Sequence, residues 1–162
     1  MIAIRNFGML WERKKVDWGR QKVKGKLLGI RADQRRVPPV DFRNQTGIYV
    51  LYDEQKVPIW IGQAKVLFAR LRDHKRDHLW NRWTYFTWFG FRKVNDDGKL
   101  GLSSRLNWNL KGSAAQARDE IEAVLIQVLE PRLNRKGSNW KDTHEYLQFA
   151  GEEEIDEGDA DD

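Results

Sequence analysis

The chain has no cysteine among its 162 residues, which rules out disulfides, thiolate zinc sites and cysteine nucleophiles. It has no apolar run near the ~18–20 residues that a membrane span needs, so no membrane partner is expected. The opening MIAIRNFGMLWERKK carries an apolar stretch broken at Arg5, too short for a secretory signal. A reducing, cytoplasmic setting fits these absences. No phosphate-binding glycine loop, dinucleotide fingerprint, G-x-S-x-G elbow or internal repeat is present. His74 and His78 stand four apart, but position 75 is lysine and no third ligand is obvious, so zinc is not expected.

What is present is charge, unevenly placed. The last eleven residues, EEEIDEGDADD, carry eight acids and no base, and setting them aside raises the formal charge from +5 to +13. So positive a body of this size points to a polyphosphate partner. Residues 1–45 form a basic lead segment with twelve bases against four acids. Leu10, Trp11, Trp18, Leu27, Leu28 and Ile30 anchor it partly on the body. Pro38 and Pro39 make an extended connector. Arg13, Lys14, Lys15, Arg35 and Arg36 from this segment, with Lys65 and Arg72 further on, are the expected nucleic-acid contacts. The chain thus divides into a basic extension (1–45), a body (46–150) and an acidic tail (151–162) expected to be disordered. The tail could compete with DNA for the basic surface.

The β-branched and aromatic run TGIYVLY predicts a strand over 46–52, and DEQKVP then turns into a second strand at IWIG. A helix is expected from Ala64 to His78. Trp83–Val94 predicts a third strand, apolar on both faces and therefore central or covered on both sides. Its aromatic residues could stack on unpaired bases, but a sheet core accounts for them better. Ser113 and Gln116 form a capping box for a further helix with Ala117, Ile121, Val124, Leu125 and Val128 inward, ended by Pro131.

Several residues could carry chemistry. Arg70 and His74, at i and i+4 of the predicted helix, project from one face. They suit either a solvated basic surface or phosphoryl chemistry, in which arginine binds two phosphate oxygens and histidine moves a proton. Glu122 lies at the border of an apolar helix face, where its partner is either a salt bridge or a hard divalent cation.

In order along the chain, Gly47-Ile48-Tyr49, Trp60-Ile61-Gly62, Arg70 with His74, and EAVLIQVLEPRLN resemble the GIY-YIG endonuclease superfamily over roughly residues 46–135. The resemblance implies an α/β (α+β) fold: a small antiparallel three-stranded sheet flanked by helices, here with a basic N-terminal extension. It implies DNA phosphodiester hydrolysis with one divalent ion, Mg²⁺ or Mn²⁺. By position, Tyr49 would help deprotonate the attacking water, assisted by His74, and Arg70 would neutralise the phosphorane-like transition state. Glu122 would hold the metal, with Asn134, Gly62 and the residue at 60 in support. Trp60 departs from the family's tyrosine, and an indole N–H can donate one hydrogen bond but cannot accept or carry a proton. Two alternatives stand beside the endonuclease: a nucleic-acid-binding module with an impaired site, and an interaction protein whose acidic tail recruits a basic partner. Monomer and homodimer are both open.

Overall fold

The computed structural model describes residues 4–101, 124 and 143–150. The expected capping box at Ser113 and Gln116, Glu122, Pro131, Asn134 and the acidic tail lie outside the described residues. Among the described residues, nine strands and one complete helix follow in order. They are β1 (Asn6–Glu12), β2 (Asp17–Arg20), β3 (Val23–Lys26), β4 (Leu28–Arg31), β5 (Val40–Asp41), β6 (Gly47–Tyr52), β7 (Pro58–Ala64), α1 (Leu67–Asp73), β8 (Tyr85–Gly90) and β9 (His144–Gln148). None of these elements is a helix long and apolar enough to cross a membrane.

The expected fold is corrected here. The three predicted strands exist and pair antiparallel in the order β7-β6-β8, but they are less than half of a seven-stranded mixed sheet, β5-β4-β9-β1-β8-β6-β7. A separate ribbon of β2 and β3 accompanies it. The described architecture is mostly β, not a three-stranded sheet between helices. The physical reason is β8. All but its first residue are buried, and a strand so apolar on both faces needs neighbours and cover on each side. Strand β1 of the lead segment supplies the neighbour opposite β6. Strand β9 then pairs parallel to β1 and antiparallel to β4.

A bulge gives β1 its useful geometry. Gly8 faces Trp88 and Trp11 faces Phe86, so three steps on β1 match two on β8. The extra residue returns Trp11 to the face that Gly8 already shares with Trp88, which simple alternation would not allow. Leu10 absorbs the turn at φ 49°, and its N–H donates to the Thr87 hydroxyl at 3.0 Å. Trp11 is then 2% exposed. Its ring meets Phe42, Phe86 and Trp88 edge-on, at centroid distances of 6.3, 6.0 and 5.3 Å. Its indole N–H donates to the Tyr146 carbonyl at 3.0 Å, tying β1 to β9.

The main core lies on this face and includes Tyr49, Leu51, Leu67, Leu71, Trp83 and Phe86. A smaller cluster of Ile4, Phe7 and Phe89 covers the opposite face, with Met9, Phe91 and the helical Val124 packed against it. Helix α1 is shorter than expected. Ala64 belongs to β7, and after Asp73 the chain turns, with Lys75 and Arg76 N–H donating to the carbonyls of Arg72 and Asp73.

Gly47 shows how tight the sheet is. A Cβ there would overlap the Phe89 carbonyl on β8, a backbone atom that cannot move without breaking the ladder. Gly47→Ala should therefore lower unfolding stability by about 3 kcal/mol or more, at the upper end of overpacking costs. Urea denaturation measures it, and a loss under about 1 kcal/mol would show that β6 and β8 are less closely paired.

Candidate functional site

The site is built where β6, β7 and the end of α1 meet. Tyr49 sits mid-strand in β6, opposite Gly62 of β7 and Trp88 of β8. Directly paired residues share a face, so the Tyr49 ring lies across Gly62. A side chain at 62 would overlap the Tyr49 hydroxyl and ring. The glycine of Trp-Ile-Gly is thus explained by close approach rather than by backbone conformation.

Tyr49 is 0% exposed and His74 1%. Tyr49 Oη and His74 Nε2 are 2.6 Å apart, and His74 Nδ1 lies 2.7 Å from Asp77 Oδ2. Asp77 Oδ1 accepts the Leu79 N–H at 2.8 Å, and the Asp77 side chain is 35% exposed. An ionised Asp77 fixes the proton of a neutral His74 ring on Nδ1, which leaves Nε2 to accept from the Tyr49 hydroxyl. The three groups form a proton path from a buried phenol to a carboxylate at the surface. The ring is held by its bonds at both nitrogens and by its burial, and the main chain beneath it is fixed as well: the His74 carbonyl accepts the Trp83 indole N–H at 3.2 Å and its N–H donates to the Arg70 carbonyl at 3.3 Å.

Burial works to raise the Asp77 carboxyl, but the Leu79 N–H and the His74 ring outweigh it and hold the group below its ordinary range.

Trp60 pairs with Leu51 on the same face. Its ring stands edge-on to His74 at 5.9 Å and to His78 at 5.8 Å. Its Nε1 is buried without a hydrogen-bond partner among the described residues, so Trp60 walls the imidazole without bonding to it. Arg70 is exposed on α1, one turn before His74, with no side-chain ion pair among the described residues. The two do not share an environment as their spacing suggested, since one is buried and the other is in solvent. Glu122 and Asn134 lie outside the described residues, so the sheet's register does not locate them.

The expected DNA contacts divide between two ends of the sheet. Strand β1 runs from Asn6, opposite Gly90, to Glu12, opposite Tyr85. Arg13, whose N–H donates to the Thr84 carbonyl, is at the second end, with its guanidinium 4.8 Å above the Trp83 ring. Lys14 and Lys15 follow in the same 3-10 turn and pair with Glu12 at 3.2 and 3.1 Å. Arg72 is exposed late in α1, 5.9 Å from the Phe68 ring centroid. Arg35 and Arg36 are exposed beyond β4, whose Arg31 pairs with Tyr146 near the Asn6 end. Exposed Lys65 follows Ala64, which pairs through Gly47 to Gly90 at that same end. A seven-residue strand separates the two groups by about 20 Å.

Asp77 and Trp83 are the site residues that sequence reasoning missed. A carboxylate three residues after His74, just beyond the helix, was the available signal for the first. Trp83 gave no signal beyond its place in an apolar run. Among the described residues, no three His, Asp or Glu side chains gather as they would around a metal ion. Comparison with protein-family models, with curated proteins and with solved structures found no match in any of the three.

A carboxyl lowered by folding adds stability that is present above its unfolded value, ~4, and is lost as pH falls through the lowered one. Asp77→Asn should cost about 1 kcal/mol at pH 7, a charge-assisted bond discounted for partial exposure. The gap to the wild type should narrow below about pH 4. Urea melts from pH 7 to 3 measure this, and a gap independent of pH would show that the Asp77 charge contributes nothing.

Proposed function

We propose that the chain is a divalent-metal-dependent DNA endonuclease whose proton-handling unit is Tyr49–His74–Asp77. The observation that carries this reading is the hydrogen-bonded path itself: a phenol in contact with an imidazole whose far nitrogen faces a carboxylate. In the proposed step the Tyr49 hydroxyl passes its proton to His74 Nε2. The resulting imidazolium is stabilised by Asp77, and the phenolate takes a proton from the water that attacks phosphorus. Arg70, exposed one turn away, offers a guanidinium to the charge that grows on the phosphoryl oxygens. The resemblance to GIY-YIG nucleases assigns Mg²⁺ or Mn²⁺ to Glu122 and a supporting place to Asn134.

One observation favours a second reading. Tyr49 and His74 are almost wholly enclosed and their polar atoms are all engaged, as in a network that only specifies the core. Trp60 closes over His74 where a hydroxyl was expected. On that reading the chain binds nucleic acid without cutting it.

Cleavage of supercoiled plasmid and of a single-stranded circle with Mg²⁺, Mn²⁺ or EDTA separates the two. Metal-dependent cutting should fall by about 10²–10⁴-fold in Tyr49→Phe, the range for removing an acid–base group, and should be lost in Glu122→Ala. Arg70→Ala, at an exposed position, should also cut poorly while melting like the wild type. Binding without cutting on every substrate would replace the nuclease with the binding module.

A further inference from the structure

The end of the sheet that holds Arg13 carries an arrangement that the proton path does not use. Trp18 and Trp83 meet edge to face at 6.2 Å, and Trp18 leans on Phe68 of α1 at 5.5 Å. Two cations lie on this aromatic floor. The Arg13 guanidinium is 4.8 Å from the Trp83 ring, and the Lys75 ammonium is 4.4 Å from the Trp18 ring. Arg76 is the next residue, exposed. None of the three has a carboxylate partner among the described residues, and the nearby Glu12 is engaged by Lys14 and Lys15.

Such a cluster is unfavourable in the free protein. Burial, then the neighbouring Arg13 and Arg76 charges, hold the Lys75 ammonium below its ordinary value, and burial does the same to Arg13. Indole faces offset part of that cost, but they do not cancel repulsion between like charges. A polyanion would turn the repulsion into attraction. The position fits as well. Lys75 and Arg76 directly follow His74, and the floor is joined to the His74 carbonyl through the Trp83 indole N–H.

We propose that Arg13 and Lys75, seated on Trp83 and Trp18, together with the adjacent exposed Arg76, grip the phosphate backbone of duplex DNA beside His74. This rests on the nucleic-acid part of the proposed function and names the surface that serves it. Phosphates bind here by charge, and the site reads no sequence. Arg35 and Arg36, about 20 Å away by the length of β1, do not share the task.

Metal-free anisotropy titrations of a labelled 20-base-pair duplex in EDTA, at 50–300 mM salt, test it. Lys75→Gln/Arg76→Gln should weaken binding by about tenfold or more at 100 mM and reduce the salt slope by about 2. Arg35→Gln/Arg36→Gln removes the same charge at the far end and should weaken binding by less than about threefold, with a smaller change of slope. Melting curves show that both variants fold, and Arg76→Gln alone, an exposed change, repeats the test without disturbing the floor. Equal losses in the two doubles, or none in the first, would overturn the platform and leave the nuclease reading standing. Tight binding through the platform by a chain that never cuts with metal would keep the platform and remove the nuclease. No binding by the wild type overturns both.

Discussion

Everything in the fold follows from β8 being apolar on both faces. A strand with Phe86, Trp88 and Phe89 all fully buried cannot lie at an edge or face water, because exposing one such ring costs about 1.5–3 kcal/mol. It recruits β6 on one side and β1 on the other. The basic lead segment is thereby woven into the sheet rather than hung beside it. The bulge in β1 then delivers Trp11 to the α1 face, while Phe7 and Met9 remain on the opposite one. Charge density on residues 1–45 and burial of their apolar anchors are compatible because many of the bases sit in turns, Arg13, Lys14 and Lys15 after β1 and Arg35 and Arg36 after β4, while Arg20, Lys24 and Lys26 are exposed on the β2–β3 ribbon.

This explains which parts of the architecture could be read from sequence. Strands β6, β7 and β8 announce themselves through local alternation, β-branching and an intervening polar turn, and they pair as neighbours. Strand β9, HEYLQ, carries no comparable pattern, and its partners β1 and β4 lie more than 100 residues earlier in the chain. Such pairing is decided by which edge remains open, and no local window records that. The glycine-punctuated β4 hides for the same reason. Expecting a three-stranded sheet amounted to stopping at the strands that declare themselves. The helix fell short at its C-terminal end where the Lys75 and Arg76 N–H groups turn back three residues to the carbonyls of Arg72 and Asp73, and the Asp77 Oδ1 bond to the Leu79 N–H keeps the following segment out of the helix.

The site was legible in its core and obscure at its margins. Tyr49 and His74 were paired in expectation, and the sheet brings them into contact. Gly62 gains a reason that the motif alone did not supply, since its missing side chain is the space the Tyr49 ring fills. Asp77 escaped notice because its role depends on the turn after α1 and not on helical spacing. Trp83 escaped because its indole N–H reaches a main-chain carbonyl, and side chain-to-backbone bonds across loops leave no periodic trace.

The distribution of satisfied and unsatisfied groups separates structural roles from functional ones. Inside, both ring nitrogens of His74 are engaged, by Tyr49 and by Asp77, and Trp83 holds the His74 carbonyl. A buried network complete in this way is stable as it stands and needs no ligand. Immediately outside, Arg13, Lys75 and Arg76 are held close with no carboxylate partner among the described residues. Partial desolvation makes an unpaired cation more costly than a hydrated one, so this cluster is the less stable of the two arrangements. Both are built on the same loop, joined at consecutive residues His74 and Lys75. On the proposed reading, the surface cations without a carboxylate among the described residues would bind the anion, and the hydrogen-bonded groups beneath them would move the proton.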